Sequence, residues 1–107
     1  MFKNVIIGEK EVELSANAAT PFRFKQVFQK DLFSVFANEA NAETEGLETV
    51  SQLAYIMAKQ AEKADMNKLN QEEFLSWLEE FGPMDFANSA EEILNVYMGS
   101  TISSANP

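Results

Sequence analysis

The sequence predicts an α+β protein, mostly α, with an N-terminal two-stranded β-hairpin followed by a bundle of about four helices. Three observations carry that expectation. Apolar residues alternate on either side of a Gly-Glu pair near the start. Further along, apolar residues recur at helical spacing. Each helical stretch opens on a capping residue or closes on a breaker. With 107 residues, 46% hydrophobic and 11% aromatic, the chain suits one domain around one core. That domain is expected over residues 1–99, with a flexible C-terminal tail over 100–107.

The hairpin is read over residues 2–15. With Gly8-Glu9 as a two-residue turn and glycine at its first central position, a type II′ turn results. This register sets Ile7 against Lys10, Val5 against Val12 and Lys3 against Leu14. Val5, Ile7, Val12 and Leu14 then share a face that must lie on helices or on another subunit, because a lone hairpin is marginal in water.

Thr20-Pro21 reads as the start of the first helix, with the hydroxyl as N-cap and proline at the first helical position. It is expected over 21–37. Phe22, Phe24, Val27, Phe28, Leu32, Phe33, Val35 and Phe36 cover nearly its whole circumference, which marks the central helix unless the chain breaks at Gln29-Lys30. Residues 38–46 are polar and without period, a loop. A second helix over 47–64 carries Leu47, Val50, Leu53, Ala54, Met57, Ala61 and Ala64 within an arc of roughly 120°, with Tyr55 well off that stripe. Asn70, with Glu73 in a capping box, opens a third helix over 71–81, which Gly82-Pro83 ends. Ser89-Ala-Glu-Glu92 is a second capping box, opening a fourth helix over 90–98 with Ala90, Ile93, Leu94 and Tyr97 on its inner face.

Charge and composition exclude more than any motif includes. The chain has 8 Lys and Arg against 17 Asp and Glu, a formal charge of −9, which disfavours nucleic acid and anionic membrane surfaces as partners. It contains neither Cys nor His, so thiol nucleophiles, thiolate or imidazole metal sites and His-based acid–base chemistry are all closed. No catalytic residue, cofactor site or metal site is expected, and the chain is not read as an enzyme. No targeting segment or membrane span is legible, so a soluble cytoplasmic protein is expected.

Several constellations have plainer explanations. Asp65-Met66-Asn67 leading to Glu72-Glu73 suggests a calcium loop, but counting from Asp65 puts Asn70 where the EF-hand needs glycine and Ser76 where it needs glutamate. An ordinary helix connection fits better. Glu72-Glu73, Glu79-Glu80 and Glu91-Glu92 are adjacent pairs that point apart on a helix, so solvated faces and N-terminal charge stabilisation explain them. Phe22-Arg23-Phe24-Lys25 interleaves rings and bases as RNA platforms do, yet its context is helical and the chain is acidic. The remaining aromatic and sulfur side chains near the C-terminus, Trp77, Phe81, Met84, Phe86, Tyr97 and Met98, form the candidate partner-binding surface. The competing reading for each is that it completes a small core.

The segment Thr20-Pro21-Phe22-Arg23-Phe24-Lys25-Gln26-Val27-Phe28-Gln29-Lys30-Asp31-Leu32, together with the hairpin from Ile7 to Leu14 and the Ala-rich link Ala16-Asn17-Ala18-Ala19, resembles the tail assembly chaperones of long-tailed bacteriophages and prophages of Gram-positive bacteria. The likeness covers residues 3–36. Leu53 to Ala61 and Phe74 to Leu78 agree with the family only in general character. Many members carry glycine where this chain has Gln29.

The resemblance implies a short hairpin, a Thr-Pro helix start and acidic helices. It also implies a non-catalytic role, in which the protein binds the tape measure protein, keeps it soluble and helps to recruit tail tube protein around it. Such a protein works in the bacterial host cytoplasm and is absent from the mature virion. Many members are also made as a longer frameshifted form, a further implied partner. Two other readings stand beside it: an acidic inhibitor that mimics DNA, and a structural head–tail adaptor. Oligomeric state is left open, since a free strand edge permits association between copies.

Overall fold

A computed structural model describes residues 2–32 and 42–102 of the chain, with side chains described over 2–32 and 47–99. Among the described residues, an antiparallel hairpin of β1 (Phe2–Ile7) and β2 (Lys10–Ser15) precedes four helices: α1 (Thr20–Phe28), α2 (Ala42–Glu62), α3 (Gln71–Leu78) and α4 (Asp85–Ile102). A 3-10 turn at Met66–Lys68 joins α2 to α3. The expected α+β architecture of a hairpin and four helices is therefore present.

The hairpin follows its alternation. Ile7 faces Lys10, Val5 faces Val12 and Lys3 faces Leu14. Gly8 has φ +65° and Glu9 lies outside the left-handed region, as a type II′ turn requires. Val5, Ile7 and Leu14 are buried and Val12 packs beside them, because β2 lies on α2 and β1 on α4. Both strand ends are pinned by helix side chains. Ser89 Oγ donates to the Ile6 carbonyl at 3.0 Å. Gln60 Nε2 donates to the Ser15 carbonyl at 2.6 Å and to Thr20 Oγ1 at 2.9 Å. Each bond satisfies a backbone or hydroxyl acceptor that would otherwise be stranded at the edge of the core.

The first helix departs from expectation at both ends. Thr20 is not the N-cap. The Asn17 side chain accepts from the Ala19 amide at 2.8 Å, which turns the chain one residue early. Ala19 becomes the cap, and the buried Thr20 hydroxyl accepts from Asn17 N–H and Gln60 instead. The expected span of 21–37 is also corrected: α1 stops at Phe28, at the Gln29-Lys30 break that the sequence left open. Gln29 sits at φ 59°, ψ 36° and donates its N–H to the Lys25 carbonyl at 2.7 Å, so the right-handed helix cannot continue. Phe33, Val35 and Phe36 lie outside the described residues. Of the rings in this segment, Phe24 is buried while Phe22 is 73% exposed, since residues two apart on a helix point in nearly opposite directions.

The central helix is α2. It runs over 42–62 rather than 47–64, so residues 42–46 of the expected loop are helical and 38–41 lie outside the described residues. Its expected stripe is a full circumference: every residue from 49 to 58 is buried, Tyr55 included. β2, α1, α3 and α4 surround it, and Ala54 and Ala58 allow close approach. Leu47, expected on the stripe, is exposed. The helix ends in a Schellman arrangement, with Ala64 N–H donating to the Lys59 carbonyl at 3.0 Å and Lys63 N–H to that of Gln60 at 3.1 Å. Lys63, at φ 58°, takes the position that usually favours glycine.

The third helix is capped as expected, Asn70 Oδ1 accepting from Glu73 N–H at 2.9 Å. It ends at Leu78 rather than 81. Glu80 and Phe81 donate to the carbonyls three residues back, a tightened exit that reaches Gly82-Pro83 outside the helix. The fourth helix spans 85–102, not 90–98, and Ser89 is buried within it rather than capping it. Asp85 stands at its start, and Glu91 and Glu92 therefore fall beyond the first turn. Residues 100–102 of the expected flexible tail are helical, and 103–107 lie outside the described residues.

Candidate functional site

The six candidate residues divide between two places. Trp77, Phe81 and Phe86 come together where α3 turns into α4. The Trp77 ring lies 4.9 Å from Phe81 and 5.6 Å from Phe86, and those two rings are 5.1 Å apart. This triangle continues inward, Trp77 to Tyr55 at 5.5 Å, Tyr55 to Phe74 at 5.4 Å and Phe74 to Phe28 at 5.1 Å. The aromatic chain thus crosses from the surface corner through α2 to α1. Such tilted and edge-on pairs contribute about 1 kcal/mol each beyond simple burial. Phe86 is buried outright, so at this position the core reading holds; Trp77 and Phe81 are half-buried. Met84 is 61% exposed beside them. Tyr97 and Met98 lie about three turns further along α4, roughly 18 Å from the corner at 1.5 Å per residue. Tyr97 is half-buried, which pushes its hydroxyl above the usual tyrosine pKa, and Met98 is exposed.

Two depressions flank the corner. One, of about 370 Å³, is apolar and lined by Leu47, Ser51, Leu78, Phe81, Pro83 and Phe86. The other, of about 340 Å³, is polar and lies between the hairpin turn and the α3–α4 link. There Lys10 Nζ pairs with Glu80 at 2.6 Å and sits 5.8 Å above the Phe81 ring. Asp85 Oδ2 accepts from Gly82 N–H at 2.7 Å and presses against Gly8, where an added Cβ would lie 2.1 Å from that oxygen. The polar depression is thus the seam that fastens the turn to the helices.

Charge sets this corner apart, and the signal is in the sequence although the segment-by-segment reading passes over it. Residues 1–68 carry all 8 bases and 10 of the 17 acids; residues 69–107 carry the other 7 acids and no base. Glu80 is matched by Lys10 from the hairpin. Glu72, Glu73, Glu79, Glu91 and Glu92 form no ion pair with a described cation. Leu75 and Met84, both exposed, fall among them in the sequence, and Leu47 stands across the apolar groove. Leu47 and Pro83 lie outside the six candidates: helical periodicity puts Leu47 on the core stripe, and the Gly82-Pro83 pair reads as a helix stop.

Among the described residues, no three Asp or Glu side chains converge to hold a metal ion, and no helix is long and apolar enough to cross a membrane. The Asp65 carboxylate of the would-be calcium loop is spent on the Asn67 amide at 3.0 Å. What the corner offers is a shaped apolar surface within a stretch of chain whose charges are all negative. No family model matches the chain, and no curated protein and no solved structure was found to be similar to it.

Proposed function

We propose that this chain is a non-catalytic assembly chaperone of the phage-tail type. It binds the tape measure protein, keeps its long amphipathic helices from aggregating and helps recruit tail tube subunits. It then leaves, remaining in the host cytoplasm and out of the finished virion. The observation that carries this reading is the conformation of Gln29. α1 ends there with a left-handed residue, a conformation that favours glycine, at the position where many proteins of the resembled family carry glycine. A backbone that suits glycine, at the position where many of the resembled proteins carry it, is more specific support than likeness of composition. The order of hairpin, Pro21 helix start and acidic helices adds to it.

The test is co-expression with the neighbouring tape measure gene product, followed by affinity capture on this chain. Co-purification and a higher soluble fraction of the tape measure protein are expected, with the chain missing from purified particles. A tape measure protein that stays insoluble and uncaptured overturns the reading. Presence in mature particles would replace it with a head–tail adaptor. The base-free stretch after residue 68 favours one other reading, a DNA mimic. Competition with DNA for a basic nuclease separates the two, and the chaperone reading expects none.

A further inference from the structure

We infer that the apolar groove between Leu47 of α2 and the α3–α4 corner is the docking site for an amphipathic helix with basic flanks, contributed by another protein. The inference deepens the chaperone reading and rests on it for the claim that the partner is a long helical protein. Its chemistry comes from the corner itself.

Shape selects the helix. The groove is bounded by side chains from α2, from the end of α3 and from the start of α4, and among the described residues no strand edge opens into it. An occupant therefore gains by inserting side chains rather than by pairing backbone, which is how a helix presents anchors at successive turns. Leu78, Phe81 and Phe86 form an aromatic and aliphatic floor, while Leu47 at 45% exposure and Pro83 stand at the rim. Well-packed aromatics ringed by polar residues are the usual setting for dominant binding contacts.

Charge selects basic flanks. Glu79 directly follows the groove residue Leu78 and forms no ion pair with a described cation. Glu48, beside Leu47, and Glu80, beside Phe81, are each occupied by a lysine of this chain, Lys30 at 2.5 Å and Lys10 at 2.6 Å. Glu80, which lines the neighbouring depression, shows that a carboxylate of this corner holds an ammonium group. No base beyond residue 68 competes for the rest. A second copy of the chain would bring the same acids to the same place, and like charges facing each other oppose that assembly.

The experiment uses the full chain and its single tryptophan. Trp77 touches Phe81 and Phe86, two groove residues, so its emission reports occupancy. The probes are a synthetic helix with leucines on one face and lysines beside them, and its counterpart with every lysine replaced by glutamate. The basic helix should shift Trp77 emission and bind several-fold more weakly at high salt, and the acidic one should bind far less. Leu47→Ser should weaken binding about tenfold and Glu79→Gln about threefold, both at unchanged melting temperature. Phe22→Ser, on exposed α1 surface, should change nothing. Equal binding of both helices, or unchanged affinity in Leu47→Ser, overturns the inference. A shift that follows protein concentration alone gives the groove to a second copy and also overturns it. The two levels separate cleanly. Tape measure capture that survives Leu47→Ser rejects the groove and keeps the chaperone. Basic-helix binding without tape measure capture does the reverse.

Discussion

α2 and the α3–α4 corner use the same kinds of residue for opposite ends. α2 is enclosed on every side: its residues 49–58 are all buried, even though Thr49, Ser51 and Gln52 are polar. α3 buries only Phe74, leaves Trp77 and Leu78 half-covered and turns Leu75 outward at 50% exposure. The difference lies in how many neighbours each helix has, not in how apolar it is. α2 is packed by β2, α1, α3 and α4, whereas α3 leans on α2. One helix has spent its surface on the fold, and the other still has surface to lend.

The comparison can be broken most directly in the core. Leu53→Ala on α2 should cost about 3 kcal/mol in a denaturant titration, the usual penalty for a leucine-sized hole in a packed interior. A cost below about 1 kcal/mol would mean that α2 is not the centre. Next is the seam that holds the hairpin turn on the corner. Gly8→Ala meets both a left-handed backbone and the Asp85 carboxylate, and should cost about 2 kcal/mol. Adding Asp85→Ala should recover part of that loss, and full additivity in the double-mutant cycle would deny the contact.

Tyr55 sharpens the contrast through pH. Burial, reinforced by the negative charges of Glu73 and Glu62, pushes its hydroxyl up to about 12. The unfolded chain holds an ordinary tyrosine near 10, so it releases this proton first. Stability is therefore complete below about pH 10 and falls as pH rises from 10 towards 12. Melting temperature followed through that window should drop, and Tyr55→Phe should flatten the drop without loss at neutral pH, since the hydroxyl has no hydrogen-bond partner among the described residues.

A smaller effect is expected at the two left-handed helix ends. Gln29→Gly and Lys63→Gly should each leave the protein unchanged or stabilise it by up to about 1 kcal/mol, whereas β-branched residues there should destabilise it. The smallest belongs to the corner. Leu75→Ala should shift stability by less than about 0.5 kcal/mol. A shift as large as that of Leu53→Ala would erase the distinction between the two helices.

What the sequence made legible follows from how local each signal is. The hairpin register needed only Gly8-Glu9 and the alternation of Val5, Ile7, Val12 and Leu14, and the structure reproduces it pair by pair. Asn70 announced its own cap. Capping at Thr20 and Ser89 misled for one reason: each hydroxyl serves a distant partner, Gln60 for one and the Ile6 carbonyl for the other. The breadth of apolar residues pointed to the first helix as central, but Gln29 adopts a backbone that its side chain does not advertise, and the role passes to α2. Tyr55 went in because four neighbours closed around α2, which no single-helix wheel can show. At the corner, Trp77, Phe81 and Phe86 were identifiable by residue type. Leu47 joins them only through folding, because it lies thirty-four residues before Phe81 in the chain and across the groove from it in space.

The two bonds that fasten the strands to the helices also bear on how the molecule opens. Gln60 holds the end of β2 and the start of α1 with one amide group, and Ser89 holds β1 from the far end of the chain. Lifting the hairpin away would strand these groups and bare Val5, Ile7 and Leu14 in a single event, so partial detachment has little to recommend it. Amide protons in the middle of the hairpin should therefore exchange with deuterium as slowly as those of α2, both waiting for whole-molecule unfolding, while the exposed end of α3 exchanges through local fraying.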